Sequence, residues 1–236
     1  SLTATAEVRA SANDTPIIDD MAGMAALYDD AIRRDTRPLA PGDVRAVTFP
    51  FPDPHGNGTR QVAVWRPPGE MGVLPVLYMM DGFSGLTVVA HQIAPAIARG
   101  EAPAIMIVAP ETRPARRLEE YVPSIRRPRR SFDRHRDWLI NTIIPWAEHY
   151  MGASRERTQR GIGGFSNGGD FAVAMAAQRP DLFGLILAHA PMNPRDEWVL
   201  PTSATQRWVI TGGTRDSDGN VARELDRQLA RYDAYR

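Results

Sequence analysis

The chain contains no cysteine and no lysine, and all 28 of its Lys and Arg positions are arginine. Without cysteine there is no disulfide, no thiol nucleophile and no thiolate metal site, although the redox compartment stays open. Without lysine there is no amine nucleophile or lysine base; the exclusive use of arginine reads as a GC-rich coding bias. Neither sign of charge dominates, since 28 acidic residues give a formal net charge of +0, so nothing global points to nucleic acid or to an anionic membrane. No apolar run approaches the length of a membrane span, and no signal peptide is visible. No pair of residues has metal-ligand spacing, so neither a metal nor a cofactor is expected. One more absence matters most: no histidine follows His189.

What remains is an ordinary globular composition, 236 residues with 43% hydrophobic and 24% charged side chains. That length suits one sizeable domain. Residues 1–40 read as an N-terminal arm and helix, and residues 41–236 as one domain. The polar, Ala/Thr-rich stretch up to about residue 18 reads as a mobile or surface-draped arm. After it, Asp19 or Asp20 caps a helix whose face carries Met21, Met24, Leu27, Tyr28 and Ile32, closed by Pro38 and Pro41.

Two strands are expected at Val44 to Phe49 and Arg60 to Trp65. The turn-forming run Pro52-Asp53-Pro54-His55-Gly56-Asn57-Gly58 between them makes an antiparallel hairpin. Val73 to Met80 and Ala104 to Ala109 are continuous apolar runs, as buried parallel strands require, separated by a helix from about Leu86 to Arg99. Phe132 to Tyr150 has the spacing of one amphipathic helix. A short strand at Gln159 to Gly163, a helix at Gly168 to Arg179, strands at Leu185 to Ala188 and Trp208 to Thr211, and a helix at Val221 to Tyr232 complete the pattern. Alternating apolar strands and helices imply an α/β fold with a mostly parallel, doubly wound sheet.

Gly164-Phe165-Ser166-Asn167-Gly168 lies between a strand-like and a helix-like run. A serine exposed on so sharp a turn sits in a strained backbone, and glycines two residues away on each side leave room for the chain. The following helix offers free N–H groups to a developing oxyanion. The alternative reading is a glycine-rich structural turn.

The chain resembles the esterase family of α/β-hydrolases that includes enterochelin (siderophore) esterases, feruloyl and acetyl xylan esterases, S-formylglutathione hydrolases and mycolyltransferases. The matching pieces occur in the family's order. They are Val44 to Phe49; Arg60 to Trp65 with its Arg66-Pro67-Pro68 exit; Leu74-Pro75-Val76-Leu77-Tyr78-Met79-Met80-Asp81-Gly82; Glu120-Tyr121-Val122-Pro123; Ile143-Ile144-Pro145-Trp146; and Gly164 to Gly169. The resemblance covers about residues 44 to 232 and implies an α/β-hydrolase fold. It makes Ser166 the nucleophile, the N–H of Asn167 one oxyanion donor and the N–H of Phe83 the other. It puts the acid on the loop Thr211-Gly212-Gly213-Thr214-Arg215-Asp216, with Asp216 first and Asp218 second.

The family's base is a histidine beyond the last helix, where this chain reaches Arg236. The expectation is a C-terminally incomplete chain that lacks the final strand and histidine loop, and so leaves an unpaired sheet edge that another copy in a homo-oligomer or another segment covers. The alternatives are a substitute histidine and a catalytically dead protein. His189, at the C-terminal end of a strand, is the first substitute, and His91 the second. His55 lies in a turn, and His135 and His149 are expected as surface or capping residues of their helix.

Nine arginines fall between Arg113 and Arg136, in the loop and helix start before the Ser166 turn, which the resemblance makes a nucleophile elbow. Arg126 and Arg130 are candidates to hold a carboxylate, phosphate or catecholate, against a solvated basic loop partly neutralised by Glu119, Glu120 and Asp133. Asp81 is a candidate to contact a substrate hydroxyl. The expected partner is a small-molecule ester, anionic or siderophore-like, hydrolysed through an acyl-enzyme. An acyltransferase and an inactive binding protein are the other readings. The first residue, Ser1, is not Met; a cleaved export signal or a trimmed tag would explain it, with a periplasmic or secreted site favoured over the cytoplasm.

Overall fold

The structure is a computed structural model that describes residues 5–7, 28, 32–33, 44–56, 58–70, 72–123, 130–192, 206–213, 223, 225 and 227. Its contacts divide the chain into two compact units, residues 1–111 with 138–154 and residues 112–137 with 155–236.

In the first unit the expected hairpin forms from β2 (Ala46–Pro52) and β3 (Thr59–Trp65), antiparallel, with Val47 opposite Val64 and Pro52 opposite Thr59. Asp53 organises the turn. Its N–H donates to the Gly58 carbonyl at 2.9 Å, its own carbonyl accepts from Gly56 at 2.9 Å, and its carboxylate accepts the His55 N–H at 2.8 Å. The N-terminal stretch is not simply draped on the surface, because β1 (Thr5–Glu7) pairs in parallel with Ala46 to Thr48. Pro50 and Pro52, which have no N–H to donate, fall beyond that pairing. From the expected helix before β2, Tyr28 is helical and buried, and its hydroxyl accepts the Arg66 N–H at 3.0 Å.

The strand expected over Val73 to Met80 is shorter. Pro75 has no N–H to give a ladder, Val73 is 70% exposed, and Leu74 makes only an isolated bridge to Ala153, so β4 runs Val76–Met79. It pairs in parallel with β5 (Met106–Pro110), which pairs antiparallel with β3. The helix between them, α1 (Gly82–Ala98), starts four residues before the expected Leu86 because Asp81 adopts a left-handed conformation (φ 71°) that turns the strand directly into helix.

Beneath this unit's strands Phe49, Phe51 and Trp146 pack edge to face, with ring centroids 5.3 and 4.9 Å apart. Arg60 is buried beside them. Its guanidinium lies 3.1 Å from the Asp53 carboxylate, both side chains 1% exposed, and 5.7 Å from the Trp138 ring centroid.

Where a single helix is expected over Phe132 to Tyr150, the chain forms α3 (Arg130–Trp138), a π-helical turn (Leu139–Ile143) and α4 (Ile144–Tyr150). Pro145 lacks the N–H that would bond back one turn, and the helix widens just ahead of it. His135, expected on the surface, is fully buried between Tyr121 and Phe171, with ring centroids 5.3 Å away in each case. Glu120, expected as a neutralising charge on the loop, is also fully buried, accepting the Thr112 hydroxyl and standing 3.7 Å from His135 Nδ1. His149 is exposed as expected.

The second unit carries three parallel strands, β6 (Arg160–Phe165), β7 (Leu185–His189) and β8 (Arg207–Thr211). Their register aligns Gly161 with Leu185 and Leu185 with Arg207. α5 (Asn167–Gln178) connects the first two, with every residue from Gly168 to Ala176 buried. Of the last expected helix, residues 223, 225 and 227 are described and helical, and Leu225 packs with Val173 and Ala188. Among the described residues β8 pairs only with β7, leaving its other edge open. The pairings are mostly parallel, and the fold is of the mixed α/β class. No helix among the described residues is long and apolar enough to cross a membrane.

A buried pair broken on one side leaves an uncompensated charge. Asp53→Ala is therefore expected to destabilise the protein by about 3 kcal/mol, measured by urea denaturation. Replacing an exposed acid such as Glu101, whose pair with Arg99 is screened by solvent, should leave the urea midpoint essentially unchanged.

Candidate active site

The site starts from a steric constraint at the end of β6. A Cβ on Gly164 would overlap the carbonyl group of Gly168 and lie 2.8 Å from its Cα. A Cβ on Gly169 would come within 3.0 Å of the His189 carbonyl oxygen. Only glycine lets the strand and the first turn of α5 approach so closely. The chain between them must reverse within one residue, and Ser166 takes φ 56°, ψ −123°. Such a conformation costs on the order of 1–3 kcal/mol and persists only where its surroundings hold it. Here the Ser166 N–H donates to the His189 carbonyl at 2.9 Å, and its carbonyl accepts the Asp170 N–H at 3.0 Å.

Ser166 is half-buried, and its Oγ donates to the thioether of Met192 at 3.0 Å. Met192 is held from behind, its N–H donating to Asp170 Oδ1 at 2.9 Å. Asp170 is fully buried, and its other oxygen accepts from Asn167 Nδ2 at 3.4 Å. The Asn167 side-chain oxygen in turn accepts from Arg117 at 3.0 Å, and Arg117 also donates to the Phe165 carbonyl at 3.1 Å. Asn167 opens α5, among the first-turn residues whose N–H groups have no partner inside the helix.

His189 lies at the same strand end. Phe165, His189 and Thr211 are register partners across β6, β7 and β8. The imidazole lies on the Phe165 ring (4.8 Å between centroids, 30° between planes), and its Nδ1 contacts the Thr211 hydroxyl. The His189 ring and Ser166 Oγ do not hydrogen-bond to each other; their partners are Thr211 and Met192.

In the first unit, Asp81 and Phe83 flank the start of α1. Gly82 between them has φ 57°, and a Cβ there would meet the Glu111 backbone at 3.2 Å. A Cβ on Gly85 would overlap the Met80 carbonyl. Phe83 is the second residue of the helix, another first-turn position with a free N–H direction.

Asp216, Asp218 and Arg126 lie outside the described residues. Arg130 stands exposed at the start of α3. Sequence reasoning did not single out Arg117, Asp170 or Met192. For Asp170 a signal existed, because an acid in the first turn of a helix complements its dipole.

The chain belongs to an esterase family of the α/β-hydrolase type: the family model described as "Putative esterase" matches residues 55–233. It is 28% identical over 146 residues to the uncharacterized protein YbbA of Bacillus subtilis, a match spanning 56% of this chain and 56% of that protein. In fold it is similar to the BES protein from Bacillus cereus, with a TM-score of 0.68 and 13% identity over 86% of this chain and 87% of that one. It is also similar to the enterobactin esterase FES from Shigella flexneri, with a TM-score of 0.66 and 17% identity over 83% of this chain and 55% of that one.

Gly164→Ala tests the constraint. Its new methyl meets backbone, which cannot rotate away, so a loss of about 3 kcal/mol or more is expected in thermal or urea unfolding. Gly100→Ala, with open space around its Cβ, should show only the smaller penalty of its positive φ.

Proposed function

We propose that the protein is a serine esterase that hydrolyses a carboxylic ester through an acyl-enzyme on Ser166. The observation that carries this reading is the backbone of Ser166, φ 56° and ψ −123° between a strand and a helix, in a chain of an esterase family. A strained serine between a strand and a helix is what a nucleophile elbow uses to lift its hydroxyl above the strand ends, and this supports the reading.

In the reaction Ser166 Oγ attacks the ester carbonyl carbon and its proton passes to a histidine. The tetrahedral oxyanion is met by the N–H of Asn167, a donor worth roughly 3 kcal/mol. Collapse releases the alcohol with the proton returned by the imidazole, and water then repeats the sequence on the acyl-enzyme. Asp216 is the acid that orients the imidazole. His189 is the candidate base at this strand end, and since its Nδ1 contacts Thr211, its ring must turn to reach Ser166. The arginines of the segment preceding the elbow favour an anionic ester, and the siderophore-like class draws support from the enterobactin esterase named above.

Treatment of the full-length protein with a fluorophosphonate probe should modify Ser166, located by peptide mass spectrometry, and Ser166→Ala should abolish the modification. Absence of labelling at Ser166 would sink the esterase reading. Labelling that persists in His189→Gln would assign the base to a different histidine.

A further inference from the structure

The polar contacts at the elbow close into a ring. Starting at Ser166 Oγ, it passes through the Met192 thioether, the Met192 N–H, both oxygens of Asp170, the Asn167 amide and the Arg117 guanidinium. It returns through the Phe165 carbonyl to Ser166 itself. Phe165 lies in β6, Asn167 and Asp170 lie in α5, and Met192 is bonded to the buried Asp170. Arg117 comes from elsewhere, as the first residue of α2 (Arg117–Tyr121), and straddles Ser166 by gripping the residue before it and the residue after it.

The grip has a rigid base. The guanidinium carbon lies 5.4 Å from the centroid of Tyr121, a fully buried ring that packs at 5.5 Å on Phe171 of α5. Arg117 is thus braced on the same helix whose N-terminus it clamps. Two bonds from one planar fork fix the separation between the Phe165 carbonyl and the Asn167 side chain, which limits how far the strained residue between them can relax. They also place a positive charge beside the peptide whose N–H, on the reading above, faces the oxyanion.

We propose that Arg117 is a positioning residue for Ser166, holding the elbow in its strained conformation and aligning the Asn167 N–H. Its role in rate rests on the esterase reading; its role in holding the turn does not. Loss of the clamp lets the hydroxyl and the oxyanion donor drift, and a misplacement of about 1 Å is enough for a loss of roughly 100-fold.

The test uses Arg117→Met and Arg117→Lys in the full-length protein, with two readouts. The first is the rate of fluorophosphonate labelling, resolved into the saturation constant KI and the limiting rate kinact. Arg117→Met is expected to lower kinact by about 10- to 100-fold with KI nearly unchanged. Arg117→Lys should recover only part of it, since one ammonium does not reproduce the fork. The second is hydrogen exchange of the Ser166 amide, which donates to the His189 carbonyl. It should exchange faster in Arg117→Met, while the Ile186 amide in β7 stays at the wild-type rate.

An unchanged Ser166 exchange rate overturns the clamp, whatever the labelling shows. A rise in KI alone, with kinact unchanged, also overturns it and makes Arg117 a ligand contact. Wild-type protein that does not label removes the esterase reading, and the exchange experiment then still decides whether Arg117 holds the turn.

Discussion

The contact of backbone on backbone between Gly164 and Gly168 is the constraint from which the site follows. Because no side chain intervenes, β6 runs almost into the first turn of α5, and the chain has a single residue in which to reverse. Ser166 absorbs that reversal at positive φ. Its hydroxyl therefore stands at the C-terminal strand ends beside the Met192 thioether. Everything around it serves to keep this arrangement from relaxing: the His189 carbonyl on its N–H, the Asp170 N–H on its carbonyl, and the Arg117 fork across both neighbours.

How much of this was legible depends on the range of the interaction. The glycines at 164, 168 and 169 announce the turn because the steric demand is local. Hairpin and strand positions follow from alternation and from the turn residues around Asp53. Errors appear where a local pattern meets a distant partner. His135 sits between Arg134 and Arg136 and reads as surface, yet it is buried against Tyr121, Phe171 and Glu120, none of them near it in sequence. Arg117 is one of nine arginines in a short segment, and nothing in their spacing says which one meets Phe165 and Asn167. Pro75 and Pro145 are the opposite case: their missing N–H groups shorten β4 and widen the helix ahead of α4, and proline carries that signal in the sequence itself.

Buried polar groups recur as organisers in both units. In one, Asp53 and Arg60 tie the hairpin turn to the aromatic cluster of Trp138 and Trp146. In the other, Asp170 lies beside the turn at Ser166 and Glu120 beside Thr112. Each is a carboxylate that accepts from N–H or O–H groups: Asp53 from His55 and Arg60, Asp170 from Met192 and Asn167, and Glu120 from Thr112. Isolated, such a group would be costly to bury; supplied with partners, it fixes which segments meet.

The exclusive use of arginine acquires a different meaning in the folded chain. Arg66 donates to the carbonyls of Met151, Glu70 and Gly72, Arg157 to those of Pro180 and Phe183, and Arg160 to those of Leu182 and Arg155. Arg66 and Arg160 use both prongs of the planar fork, while Arg157 reaches its two carbonyls from a single Nη1. A compact ammonium cannot span two such acceptors. Sequence drift from arginine to lysine would therefore preserve the net charge of this chain while loosening its loops one after another. The arginines that fill this chain are, in effect, part of its architecture.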